Sequence, residues 1–384
     1  MMATRVLANA RVLLDDGFHE GCALVLGDDG RIGQVLEAGA ALDGLGPVED
    51  LQGDYLLPGF IDVQVNGGGG VLFNNQPSAE GIAAIGRAHA RFGTTAFLPT
   101  LISDRLEVME QAVAAAGRAL ATGVPGVLGL HLEGPYLAPA RKGTHDAHWF
   151  RVPDADEIER VTALRGGITL VTLAPEQVPA GVIAALRARG AIVLAGHSAA
   201  SYEQARAGLA AGIRGFTHLF NAMSPLQGRE PGMVGAALED AHSWCGVIVD
   251  GVHVHPASLR LALAAKPRGK VFLVTDAMPM VGSEDPSFSL YGQTITAVDG
   301  VVRNAEGALA GSALDMATAV RNAVRLLGVG LEEAVRMASA YPARLLGIEH
   351  SHGSIGAGRR ADLVRMDHAL QVRSTWIGGQ RVHG

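Results

Sequence analysis

The sequence predicts an α/β fold: a (β/α)8 TIM-like barrel with a small β-sandwich domain formed by both termini. Three observations carry this. Eight compact apolar runs alternate with Ala-rich amphipathic stretches through the middle of the chain. Those runs lack the polar alternation of a one-sided sheet, so they read as parallel strands buried on both faces. The two chain ends share a different texture, with short alternating runs and frequent turn signals. Eight strands with intervening helices favour a closed barrel over an open doubly wound sheet.

At the N-terminal end, residues 5–14 and 22–26 read as strands, separated by Asp15-Asp16-Gly17 and followed by Asp28-Asp29-Gly30. The apolar runs are 56–65, 94–101, 127–132, 168–173, 192–195, 215–219, 245–249 and 271–274. Helices are expected over 78–92, 105–121, 154–164, 180–189, 201–211, 256–265, 312–327 and 331–340. Ser103 or Asp104 is expected to cap the second helix and Ser312 a later one. From about Ser351, the stretches 361–366 and 373–377 again read as short strands. The expected division is residues 1–56 and 348–384 in the small domain and 57–347 in the barrel.

Composition narrows the function. Apolar residues make up 48% and charged residues 18%, which suits a large buried core. Lys and Arg total 31 against 38 Asp and Glu, a net charge of −7. With no basic stripe, nucleic acid is not an expected partner, although one or two placed cations could still hold a small anion. Cys22 and Cys245 are the two cysteines, too few for a disulfide framework, which points to a reducing, cytoplasmic setting. The first residues carry charges within every apolar window and do not read as a signal peptide. No stretch reaches the roughly 18 apolar residues of a membrane span, so no membrane partner is expected.

In such a barrel the site forms at the C-terminal strand ends, so what each apolar run ends in matters. The first ends in Gln64 and Asn66, the third in His131 and Glu133, the fifth in His197, the sixth in His218 and Asn221. The seventh ends in Asp250 and His253, the eighth in Asp276. Glu133, His197 and His218 offer one oxygen and two imidazole nitrogens, a three-ligand set for a divalent metal with a position left open for water. Asp276 is then the natural general base and afterwards the general acid. A carboxylate here could instead be half of a buried ion pair, and a single histidine a satisfied core residue. Two histidines on adjacent strand ends favour the metal. His131 shares the orientation of Glu133 and is expected beside the metal rather than on it.

Other polar residues follow these ends. Lys142-Gly143-Thr144-His145 reads as a loop after the third strand. Arg229 suits an anionic oxygen such as phosphate, or is a solvated surface arginine. His253 and His255 form an H-x-H that could bind metal, or His255 before Pro256 starts a helix. The run 67–70 lacks the Gly-Lys-Ser/Thr of a phosphate loop and is expected to let a loop pass close to a ligand.

The segment Pro58-Gly-Phe-Ile-Asp-Val-Gln-Val-Asn-Gly67 resembles the first strand of the amidohydrolase superfamily. His131-Leu-Glu-Gly-Pro-Tyr136, Lys142-Gly-Thr-His145, Ala195-Gly-His-Ser198 and Thr217-His-Leu-Phe-Asn-Ala-Met223 narrow the resemblance. Together with Asp250-Gly-Val-His253, Thr275-Asp-Ala277 and Leu309-Ala-Gly-Ser312, they are similar to the N-acetylglucosamine-6-phosphate deacetylases, in order over nearly the whole chain. The resemblance implies hydrolysis of the acetamide of that sugar phosphate to glucosamine 6-phosphate and acetate, in amino-sugar catabolism and cell-wall recycling.

It also implies roles. Glu133, His197 and His218 would bind the metal, zinc by expectation, with Fe2+, Co2+ or Mn2+ as alternatives, and Asp276 would be the acid/base. His145 would polarise the acetamide carbonyl. Thr144, Asn221, Ala222, Arg229, Asp250, His253 and the Leu309, Ala310 and Gly311 backbone would hold the sugar phosphate. Arg229 would reach a neighbouring subunit's site, implying a homodimer. Many superfamily members carry His-x-His where this chain has Gln64 and Asn66. Amides are poor transition-metal ligands, so one metal per subunit is expected.

Overall fold

A computed structural model describes residues 3–384. Eight parallel strands follow one another in hydrogen-bonded order: Phe60–Val65 (β1), Thr94–Ile102 (β2), Gly129–Glu133 (β3), Ile168–Leu173 (β4), Ile192–Ala195 (β5), Gly215–Phe216 (β6), Trp244–Val247 (β7) and Val271–Leu273 (β8). A parallel bridge between Val65 and Ala277 joins the last to the first and closes the barrel. Every residue of β1, β2 and β3 is buried, as the absence of polar alternation in those runs requires.

The first apolar run is two strands. Gly59 divides it, because a Cβ there would lie 2.1 Å from Thr95 Oγ1. Residues Tyr55–Pro58 turn away into the second sheet, pairing with Leu363–Met366 and with Ala3–Leu14. That sheet runs Gln380–His383, Val372–Ile377, Leu363–Met366, Tyr55–Pro58, Ala3–Leu14, Gly17–Gly27, Ile32–Leu36, with Val48–Asp50 also on Ala3–Leu14. Both chain ends therefore build it, around Leu7, Val12, Leu24, Leu56, Leu363 and Trp376.

The helices of the barrel are Ala79–Ala90 (α1), Leu106–Ala121 (α2), Ala155–Val161 (α3), Ala180–Ala188 (α4), Tyr202–Ala211 (α5), Gly232–Glu239 (α6), Pro256–Ala265 (α7), Met316–Asn322 (α8), Leu331–Ala338 (α9) and Ala340–Leu346 (α10). Helix α6 lay outside the expected helices; the Gly and Pro residues around it mask its period. The expected caps are corrected. Helix α2 starts after Arg105 with no side-chain cap, and Asp104 instead accepts from the Arg105 amide. The cap of α8 is Asp315, while Ser312 Oγ donates to the Thr275 carbonyl at 2.6 Å. Between β8 and α8 the chain forms an unforeseen antiparallel insert, Ser287–Leu290, Gln293–Val298 and Val301–Val302. No helix among the described residues is long and apolar enough to cross a membrane, and Cys22 and Cys245 are free and buried.

Candidate active site

At the C-terminal barrel mouth, Glu133 closes β3 while His197, His218 and Asp276 lie just beyond β5, β6 and β8. All three of the latter have left-handed backbones, with φ of 47°, 30° and 53°. A side chain in that region costs of order 1–3 kcal/mol and persists only where the surroundings hold it, which is common at functional sites. Neighbouring strands do the holding: Asp276 N donates to Gln64 O at 3.0 Å and Leu219 N to Gly246 O at 2.7 Å.

The side chains converge. His218 Nε2 lies 2.9 Å from Glu133 Oε1 and 3.1 Å from His197 Nε2, and His197 Nε2 lies 3.4 Å from Glu133 Oε1. His197 donates from Nδ1 to the Arg141 carbonyl at 2.9 Å, which leaves its Nε2 lone pair facing the other two groups. One carboxylate oxygen and two imidazole nitrogens within 4.8 Å of one another form a donor set that fits a divalent metal. Burial alone would raise the Glu133 carboxyl, but the adjacent His197 and His218 imidazoles hold it well below the usual carboxylate range. Burial pushes Asp276 up to about 6, with the Glu133 charge adding to it.

Beneath the cluster a hydrogen-bonded belt crosses the barrel. His131 meets Thr100 Oγ1 through Nδ1 at 3.1 Å and Thr172 Oγ1 through Nε2 at 2.8 Å, and Thr172 meets Thr217 at 2.6 Å. Both ring nitrogens are thus engaged, and burial lowers the His131 pKa to about 4, so it is a neutral strut rather than a ligand.

Above the cluster opens a cavity of about 480 Å³. Of the residues singled out in the sequence, Thr144, His145, Asn221, Ala222, His253, Leu309 and Gly311 line it with the metal set and Asp276. Ala310 is fully buried behind the lining. Asp250 stands one layer back: its Oδ2 accepts from His253 Nδ1 at 2.6 Å and its Oδ1 from the His253 amide at 2.9 Å. His255 caps α7, accepting from the Ala257 amide, so the helix-start reading of His255 is the one observed. Arg229 is exposed and does not line this cavity. The Gly67–Gly70 run does not line it either, correcting the expectation of a close ligand. A Cβ at Gly67 would meet Val71 O at 2.4 Å and one at Gly68 would meet His89 at 2.8 Å, so these glycines serve internal packing.

Four further side chains contribute to the site without having been expected there. Ser103 bonds His145, Arg141 and Glu306 line the cavity, and Asp62 bonds Thr275 next to Asp276. Asp62 carried a signal: a carboxylate within a fully buried strand whose only other polar residue is Gln64.

The amidohydrolase family pattern matches residues 55–382. The chain belongs to the amidohydrolase family. Among its relatives in that family is the N-acetylgalactosamine-6-phosphate deacetylase of Shewanella sp. (strain ANA-3), 42% identical over 376 residues that cover 97% of this chain and 95% of the relative. The N-acetylglucosamine-6-phosphate deacetylase of Bos taurus is 40% identical over 349 residues, 87% of this chain and 84% of its own. The crystal structure of N-acetylglucosamine-6-phosphate deacetylase from Pasteurella multocida superposes with a TM-score of 0.94 at 36% identity, covering 98% and 99% of the two chains.

Proposed function

We propose that this amidohydrolase removes the acetyl group of N-acetylglucosamine 6-phosphate, releasing glucosamine 6-phosphate and acetate. The observation that carries it is the convergence of Glu133, His197 and His218 with Asp276 and His145 in one cavity of about 480 Å³. The deacetylase names of relatives at 42% and 40% identity support the substrate class.

Glu133, His197 and His218 hold one divalent metal, zinc in our reading, because an O/N/N set suits zinc and leaves a position open. When bound, it supplies Lewis acidity and makes water acidic enough to be a nucleophile near neutral pH. Asp276 takes the proton from the attacking water as the new C–O bond forms. His145 donates a hydrogen bond to the carbonyl oxygen, where negative charge develops. Asp276 then returns the proton to the amine nitrogen as the C–N bond breaks, so atoms and charge balance. Gln64 and Asn66, as poor metal ligands, keep the site to one metal.

His253, oriented by Asp250, together with Thr144, Asn221, Ala222 and the backbone of 309–311, holds the sugar phosphate. Arg229 completes the phosphate site from a neighbouring copy in a homodimer, since its own cavity lacks it. The buried free thiols of Cys22 and Cys245 support a cytoplasmic setting.

The galacto epimer is a second reading, favoured by the 42% identity to a galactosamine-directed relative. Acetate release is compared for the two 6-phosphates and unphosphorylated N-acetylglucosamine on protein of measured metal content. Highest kcat/KM on the gluco phosphate supports the proposal, a galacto preference transfers it to the epimer, and no acetate from either phosphate overturns it.

A further inference from the structure

Ser103 follows β2 and is buried. Its backbone N–H donates to Nδ1 of His145 at 3.3 Å, and its hydroxyl lies 2.8 Å from the same nitrogen. A backbone amide can only donate, so Nδ1 carries no proton, and the hydroxyl donates to it as well. The proton of the neutral imidazole is then on Nε2. No hydrogen bond engages Nε2 among the described residues, and the ring lines the cavity.

Ser103 is itself held from several sides. Asn74 clamps the preceding residue both ways, accepting from the Ile102 amide at 3.1 Å and donating to its carbonyl at 3.0 Å. Tyr291, at the turn of the antiparallel insert, donates to the Ser103 carbonyl at 2.6 Å. Glycine at 134 makes room, because a Cβ there would lie 2.4 Å from Ser103 Oγ. Such fixed placement has a consequence for chemistry. With Nδ1 free to take the proton, His145 would offer Nε2 as a lone pair, which repels the carbonyl oxygen it is meant to polarise.

We infer that Ser103 is a positioning residue for deacetylation: its two donors fix the His145 tautomer so that Nε2–H is presented to the substrate carbonyl. The inference rests on the deacetylase reading for its consequence, but the tautomer is open to measurement without substrate.

Two-bond 15N–1H correlation spectra of the metal-loaded wild type, with His145→Gln to assign the ring, read the tautomer directly. Nδ1 without a proton and Nε2 with one is expected; the reverse overturns the inference whatever the enzyme turns over. A double-mutant cycle tests the consequence. Ser103→Ala keeps the backbone donor and is expected to lower kcat roughly five- to twentyfold, the worth of about one hydrogen bond, with KM little changed. In a His145→Gln background the same change is expected to cost less than about twofold. An undiminished cost there, or full kcat in Ser103→Ala, overturns the role of Ser103. Absence of deacetylation by the wild type would instead sink the proposed function and leave the tautomer result standing.

Discussion

Asn66 donates from Nδ2 to Oδ1 of Asp276 over 2.6 Å. Gln64 Nε2 reaches the same oxygen at 3.1 Å, and no hydrogen bond among the described residues engages Oδ2. The amides thus occupy one carboxylate oxygen and leave the other to exchange a proton. Asp276→Asn is expected to lower kcat by about 10²–10⁴, the usual contribution of a general acid–base. Metal content, read by elemental analysis, should stay at the wild-type level. Wild-type turnover in this variant would refute the role of Asp276.

Gln64 does more than touch Asp276. Its Nε2 also lies 3.1 Å from both oxygens of Glu133, so one amide bridges Glu133 and Asp276, the proposed metal ligand and acid–base. Partners that orient a ligand typically matter 10–100-fold for metal affinity. Gln64→Ala is expected to weaken metal binding by roughly that factor, measured by competition against a chelator. Unchanged affinity would mean that the strand alone aligns Glu133.

Burial and the Glu133 charge push Asp276 up to about 6, and in its proposed role as general base it must be ionised to act. Activity is therefore lost as pH falls through its pKa. A bound dication favours the ionised form, so the acid limb of kcat/KM should lie at about 6 or below. Profiles with two different metals, each at saturation, check this. A limb well above that pH would assign the titration to another group.

The barrel was legible because its strands are apolar on both faces and its helices alternate with them. Glu133, His197, His218 and Asp276 were legible because polar groups terminating apolar runs are costly unless used. Two of the features that escaped depend on contacts between residues far apart along the chain. Ser103 and His145 are 42 residues apart, and nothing local marks a serine that meets a histidine only after the barrel closes. Gly59 splits an unbroken apolar run because of Thr95, a contact between strands and invisible to periodicity. The insert at 287–302 went unseen for a local reason: its strands are short and exposed on one side.

Asp62 gives the last prediction, on stability. It is fully buried, and its Oδ2 accepts from Thr275 Oγ1 at 2.5 Å while its Oδ1 accepts from the Gln64 amide at 3.2 Å. Burial outweighs these bonds and pushes its carboxyl up to about 7 from the ordinary 3.8. Between those two values the folded protein holds a proton that the unfolded chain has lost. Because the native state binds more protons there, stability falls as pH rises across that window and levels off above it. A shift of this size corresponds to a few kcal/mol. Asp62→Asn has no such proton to lose. In chelator-treated protein, where metal binding adds no pH dependence of its own, the urea midpoint of the wild type should fall from about pH 5 to pH 8 relative to that of the variant. Parallel midpoints for the two proteins across this range would show that Asp62 is already ionised in the fold, held by Thr275 and the Gln64 amide.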